Sequence, residues 1–141
     1  LMKKGFTQVE ILSLETTTPP LPQDYDILFP PGHRAGDVWV RKQLPNQAAS
    51  TWVTCDSFLN YERMSNQPIA RFMQKILGAA PNLKISQVVK WFILSDRSSF
   101  KDWALKQLKE DNPTTLIPSH GEIRSDNHLS ENISKVIKQR L

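Results

Sequence analysis

Two imidazoles and one carboxylate occupy comparable places in this sequence. His33 and His120 each follow a short apolar, β-like run, in "PPGH" and "IPSHG", and Asp56 closes the run "STWVTCD" in the same way. Loops beyond strand ends are where a rigid sheet delivers side chains to a site. Two histidines and an aspartate are a ligand set that zinc, iron or manganese can use. The competing reading is local: a histidine in a Pro/Gly turn bonds to its neighbours, and Asp56 before Ser57 forms a turn or a cap. The third histidine, His128, stands near a helix start at residues 127–130 and reads as a solvated side chain without a role. Cys55, the single cysteine, could ionise beside His33 or His120 and act as a nucleophile. The plainer reading is a thiol packed at a strand end.

The elements that would position these groups are marked by proline, glycine and changes of hydrophobic period. "FTQVEILSLE" alternates as a strand and ends in the proline-rich loop "TTTPPLPQ". "DILF", "DVWVRKQL" and "STWVTC" read as adjacent strands, the last two forming a hairpin across "PNQAA". After Asp56 the period becomes helical. Ile69, Phe72, Met73, Ile76 and Leu77 share one face behind Pro68, and Gly78 is the stop. "ISQVVKWFILSD" sets Ile85, Val88, Val89 and Phe92 on one helical face, with strand the alternative for so β-branched a run. Ser95 or Asp96 caps a helix whose buried stripe is Phe100, Trp103, Ala104 and Leu108. "TTLIPSHG" reads as a strand stopped by Pro118, and Leu129, Ile133, Val136 and Ile137 mark a last amphipathic helix. Trp39, Trp52, Trp91 and Trp103 lie inside apolar patterns and read as core rather than as stacking platforms for bases.

Composition limits the function classes. A chain of 141 residues with 39% apolar residues can bury a real core, and residues 1–141 read as one domain. The 18 lysines and arginines against 14 acidic residues leave +4 without any block of like charge, which gives little support for a nucleic-acid partner. One cysteine excludes an internal disulfide framework, and no run approaches a membrane span of roughly 18 apolar residues. The chain thus reads as soluble, intracellular and cytoplasmic. Leu1 before Met2, with no leader pattern, reads as the start of a fragment or processed chain. Phosphate-cradling glycine loops, the Gly-x-Ser-x-Gly nucleophile turn and paired-cysteine motifs are absent.

"PGHRAG" with His33, "VTCD" with Asp56 and "PSHGEI" with His120 together resemble, in order and spacing, the later motifs of the metallo-β-lactamase superfamily. The likeness runs from about Ile27 to Ile123 and on through the last helix. It implies a first-metal histidine at His33, a bridging and catalytic aspartate at Asp56, and a second-metal histidine at His120. Zinc is the implied metal, two ions in the intact protein, with iron or manganese as substitutes. Cys55 stands where the family usually has glycine. The family's H-x-H-x-D-H segment occurs nowhere in the chain.

The resemblance therefore implies an α/β (α+β) fold, a mixed sheet flanked by helices, that is the C-terminal half of a larger four-layer αββα sandwich, with the other half preceding Leu1. The implied reaction is metal-assisted hydrolysis, with metals about 3.5–4 Å apart lowering the pKa of bound water toward roughly 7. The substrate class stays open: a small molecule, an ester or a phosphodiester. Arg34, Arg41, Lys42 and Arg63 are either an anion-attracting surround or a solvated rim. The chain alone is expected to be inactive and to seek the missing half or a second copy of itself. The alternative from another class is a non-catalytic α/β interaction domain with structural histidines.

Overall fold

The computed structural model describes residues 20–34, 36–44 and 49–141. The strand expected in "FTQVEILSLE" lies outside them, as does most of the "PNQAA" turn. Strands β1 (Tyr25–Leu28), β2 (Trp39–Gln43) and β3 (Ser50–Tyr61) are followed by α1 (Pro68–Ile76), β4 (Asn82–Lys84) and a π-helical turn (Val89–Ile93). Then come α2 (Arg97–Asp111), β5 (Pro113–Gly121), β6 (Arg124–Ser125) and α3 (Leu129–Arg140). The six strands make one mixed sheet in the order β1, β2, β3, β5, β6, with β4 pairing the far end of β3. β1, β2 and β3 are antiparallel neighbours as expected, while β5 returns parallel to β3 after the long crossover through α1 and α2.

Alternation sorts the strands into two faces. Leu28, Trp39, Trp52 and Leu116 turn toward the helices, and with Phe100, Ala104, Leu108, Leu129, Ile133 and Ile137 they form one core. Trp39 is at its centre, its ring 5.1 Å from Trp52, 5.6 Å from Phe58 and 5.0 Å from Trp103. Buried Asp111, at the end of α2, accepts from Arg41 at 2.6 Å and from the Trp52 indole at 3.0 Å, which fixes the helix to the sheet. Across the opposite face runs a register row, Ile27, Val40, Val53 and Ile117, that remains partly exposed among the described residues.

Four local expectations are corrected. β3 does not end at Asp56 but continues through buried Phe58 and Leu59. β5 does not stop at Pro118, because that proline faces Thr54 where the β3 ladder breaks and no N–H is needed. The run expected as a helix from Ile85 is helical rather than a strand but shorter, residues 87–93, and most of it is a π turn at Val89–Ile93 where Leu94 donates back to the Val89 carbonyl. Ile85 and Val89 are buried there, whereas Phe92 and Trp91 face solvent, so Trp91 is not core. The α1 helix forms where its period and Pro68 indicate, yet its apolar face is bare: Ile69 is 81% and Phe72 62% exposed.

Candidate functional site

The His33 loop is pinned to the segment before α2. Gly32 takes φ +76°, and a Cβ there would stand 2.2 Å from the Asp96 carbonyl oxygen, so only glycine fits. The Gly32 carbonyl accepts from the Ser95 backbone at 2.7 Å and the Ser95 hydroxyl at 3.0 Å, and Arg34 donates to Ile93 at 2.9 Å. This closure sinks the His33 side chain to 2% exposure, its ring 5.3 Å from Phe100. Its Nε2 lies 3.3 Å from Ser57 Oγ and 3.6 Å from Asp37 Oδ2.

The proton positions follow from counting donors. Ser57 gives its one hydrogen to Asp37, and the Trp39 indole donates to Asp37 at 3.0 Å and, more weakly, to Ser57 Oγ at 3.3 Å. Nε2 is therefore assigned the ring proton, which it gives to Ser57 Oγ, and Nδ1 is left with a bare lone pair. Among the described residues that buried Nδ1 has no hydrogen-bond partner. Burial holds the imidazole below its ordinary pKa, against the opposing pull of Asp37 and then Asp56. His33 is thus a neutral imidazole near pH 7, the form in which histidine ligates metals.

Asp56 reaches its position through a break in β3. The register against β5 passes from Thr54 opposite Pro118 to Leu59 opposite His120, five steps on one strand against two on the other. The surplus forms an irregular bulge that leaves Cys55 and Asp56 both outward and then buries Ser57 and Phe58 in succession. From the facing strand, His120 Nε2 comes within 3.2 Å of Asp56 Oδ1, and Ser119 donates to the same oxygen at 3.1 Å. Both side chains of the pair are 56% exposed. Gly121 secures this approach: at φ +100° its missing Cβ would fall 1.9 Å from the Asn60 carbonyl oxygen.

Of the three residues singled out in the sequence, Asp56 and His120 are in contact. His33 stands close enough for the Asp56 charge to act on its protonation, while its own bonds run to Ser57 and Asp37. In donor type the three suit zinc. Among the described residues, though, no group of three or more His, Cys, Asp or Glu side chains is gathered closely enough to hold an ion. Asp37, Ser57 and Ser119 were missed in the sequence. The i+4 step from His33 to Asp37 and the placing of Ser57 beside Asp56 were the available signals.

The thiol is not buried packing: Cys55 is exposed. Its pKa is raised, first by partial desolvation and then by Asp37 and Asp56, which opposes the thiolate a nucleophile needs. Arg41 is held by Asp26 and Asp111, and Lys42 lies 3.9 Å from Asp24 and over the Tyr25 ring, so both are engaged along β1, β2 and α2. His128 is solvated as expected, 3.4 Å from Glu131.

Asp56 and His120 open onto a cleft of about 340 Å³, walled by Leu59, Met73, Leu77, Val88, Val89 and Ile93. That volume is within the range of small-molecule sites, about 300–1,000 Å³. A carboxylate and an imidazole from neighbouring parallel strands, at the mouth of an apolar cleft, can hold a polar reacting group, pass a proton or share a cation. No protein-family model, curated protein or solved structure matches the chain.

Proposed function

We propose that this chain is the C-terminal half of a metallo-β-lactamase-like hydrolase, contributing His33, Asp56 and His120 to a two-metal site completed by residues outside it. The observation that carries the reading is the meeting of Asp56 and His120 at 3.2 Å, from different strands, through a bulge that aims the aspartate out of its ladder. The orphaned lone pair of neutral His33 supports it, because a buried unpartnered nitrogen calls for a ligand. When bound, zinc would supply a hydroxide nucleophile near neutral pH. The chain's own part would be to present the imidazole nitrogens and the Asp56 carboxylate, with Ser119 orienting that carboxylate and Asp37–Ser57 orienting His33.

Support for the half-fold comes from the apolar row Ile27, Val40, Val53 and Ile117, which is partly exposed among the described residues. A second sheet packs on such a face in a sandwich. The partner is either an N-terminal half or a second copy, and the setting is cytoplasmic. No helix among the described residues is long and apolar enough to cross a membrane.

Zinc titration by calorimetry on metal-stripped chain tests the ligand set. Weak binding is expected from this chain alone, strengthened when a segment carrying H-x-H-x-D-H is supplied and lost in His120→Ala. An upstream reading frame without that segment, together with no zinc binding at any concentration, defeats the hydrolase reading. The second reading, an interaction domain with structural histidines, is favoured by the bare apolar face of α1 and by the full local engagement of His33 Nε2.

A further inference from the structure

We infer that the cleft beside Asp56 and His120 takes a single unbranched alkyl or acyl chain, so that the substrate of this site is an amphiphile. Its polar group would lie against the Asp56–His120 pair and its tail between α1 and the turn at Val89–Ile93. The identity of the polar group as a hydrolysable one rests on the proposed function; the tail site does not.

The walls carry the argument. Side chains from three separate elements converge on the cleft, Leu59 from β3, Met73 and Leu77 from the α1 region, and Val89 and Ile93 from the π turn. The lining includes no lysine or arginine, and its one carboxylate is Asp56. A phosphorylated or otherwise polyanionic substrate would lose its hydration there without a counter-charge, whereas a neutral hydrocarbon loses nothing. Besides Asp56 and His120 the polar wall residues are Gln74, whose amide oxygen accepts from the Ser65 backbone at 2.7 Å, Ser86, whose hydroxyl accepts from the Val89 backbone at 3.2 Å, and Tyr61. The volume suits a chain of about eight to ten carbons, each methylene taking roughly the 30 Å³ of a water molecule and filling most of the space.

The rim extends the same chemistry outward. Ile69 and Met73 in α1 and Leu77 at its C-cap follow one another at i+4, so the exposed apolar stripe of that helix leads into the cleft. A lip of this kind would gather an amphiphile from dilute solution and explains why the helix keeps an apolar face that the core does not use.

The test uses the full chain and the neutral probes 1-butanol, 1-hexanol and 1-octanol, with binding read by calorimetry and by amide shifts at Leu77, Ala79 and Val89. Affinity should rise about fourfold per added methylene, the transfer value for a buried CH₂ converted to a binding ratio. Leu77→Trp and, from the opposite wall, Val88→Trp should each cut 1-octanol affinity at least about tenfold, with circular dichroism confirming the fold. Equal affinity for all three alcohols, shifts elsewhere on the chain, or folded Trp variants that bind as well as the parent would overturn the inference. Zinc titration of the same samples separates the two readings. Alkyl binding upholds the tail site whether or not zinc binds; zinc binding without alkyl binding overturns the tail site and leaves the hydrolase reading standing.

Discussion

Replacing Asp37 by alanine strikes the support of His33 without touching any proposed ligand. The carboxylate is 2% exposed and accepts three hydrogens, from the Val38 backbone at 3.0 Å, the Trp39 indole at 3.0 Å and the Ser57 hydroxyl. Its loss leaves Trp39 with only the 3.3 Å bond to Ser57 Oγ, and leaves the Ser57 hydroxyl to re-aim toward His33. Hydrogen bonds to a charged group contribute about 1.5–3 kcal/mol each. Two buried ones lost, partly offset by these weaker contacts and by relief of burying a charge, amount to about 2–4 kcal/mol. That is a large share of an ordinary stability of about 5–15 kcal/mol. Equilibrium unfolding in urea measures it, and Asp37→Asn, which keeps one acceptor and the volume, should lose about half as much. The His33 ring, followed by NMR titration, should also fall further below its ordinary pKa, since Asp37 opposes the effect of burial. A variant within about 1 kcal/mol of the parent, with an unmoved His33 titration, would refute the assignment of this carboxylate as the anchor.

Acidification should destabilise the chain through His33. Its folded pKa lies below the ordinary 6.5, so as pH falls the unfolded chain takes the proton first; stability is whole above pH 6.5 and is lost between that value and the folded pKa. Thermal midpoints at pH 7.5, 6.0 and 5.0 should fall more steeply in the parent than in His33→Gln, and parallel curves would contradict the burial argument. Gly121→Ala should cost more than about 2 kcal/mol, because it combines a left-handed backbone with a Cβ 1.9 Å from the Asn60 carbonyl, and unfolding midpoints read it directly. Asp96→Ala removes the side chain that accepts from Ser99 N at 3.0 Å and Ser99 Oγ at 2.7 Å at the start of α2, and should cost about 1 kcal/mol by the same measurement.

The helices that face the sheet were legible because their period and burial agree. Phe100, Ala104 and Leu108 in α2, and Leu129, Ile133 and Ile137 in α3, repeat at helical spacing and all end in the core, with Asp96 at the expected cap. Spacing alone could not say what covers a face, which is why α1 has the right residues while Ile69 and Phe72 stay exposed among the described residues. The ends of β3 and β5 were misplaced for a different reason. Pro118 and Asp56 normally break strands, but here they meet at one irregular bulge where a missing donor and an outward carboxylate are both accommodated. That feature depends on pairing between residues more than 60 positions apart, which local reading cannot supply. Position at strand ends suggested that His33, Asp56 and His120 would meet; Asp56 and His120 are in contact, but within strands that continue past them, and the Asp37–Ser57 support of His33 was not legible because Ser57 is buried only through the same bulge.

The bulge also links the site to the open face. Before it, β3 alternates normally: Trp52 and Thr54 point into the helical core, and Val53 points the other way, beside Val40 on one side and Ile117 on the other. A sheet with one solvated face ordinarily carries polar side chains there. The rung through Tyr25, Lys42, Thr51 and Thr115 obeys that rule, and the rung through Ile27, Val40, Val53 and Ile117 departs from it. Cys55 and Asp56 follow Val53 beyond the buried Thr54, so the apolar rung stands three residues along β3 from the carboxylate that meets His120. Under the proposed function, a partner packed on that rung would come near Asp56 and could bring the side chains that complete the site, so that covering the rung and completing the site would be one event. Val53→Lys, which adds a charge to the rung without touching a proposed ligand, should weaken partner binding and zinc affinity together. Sedimentation and zinc titration on the same sample would separate the two if they were independent.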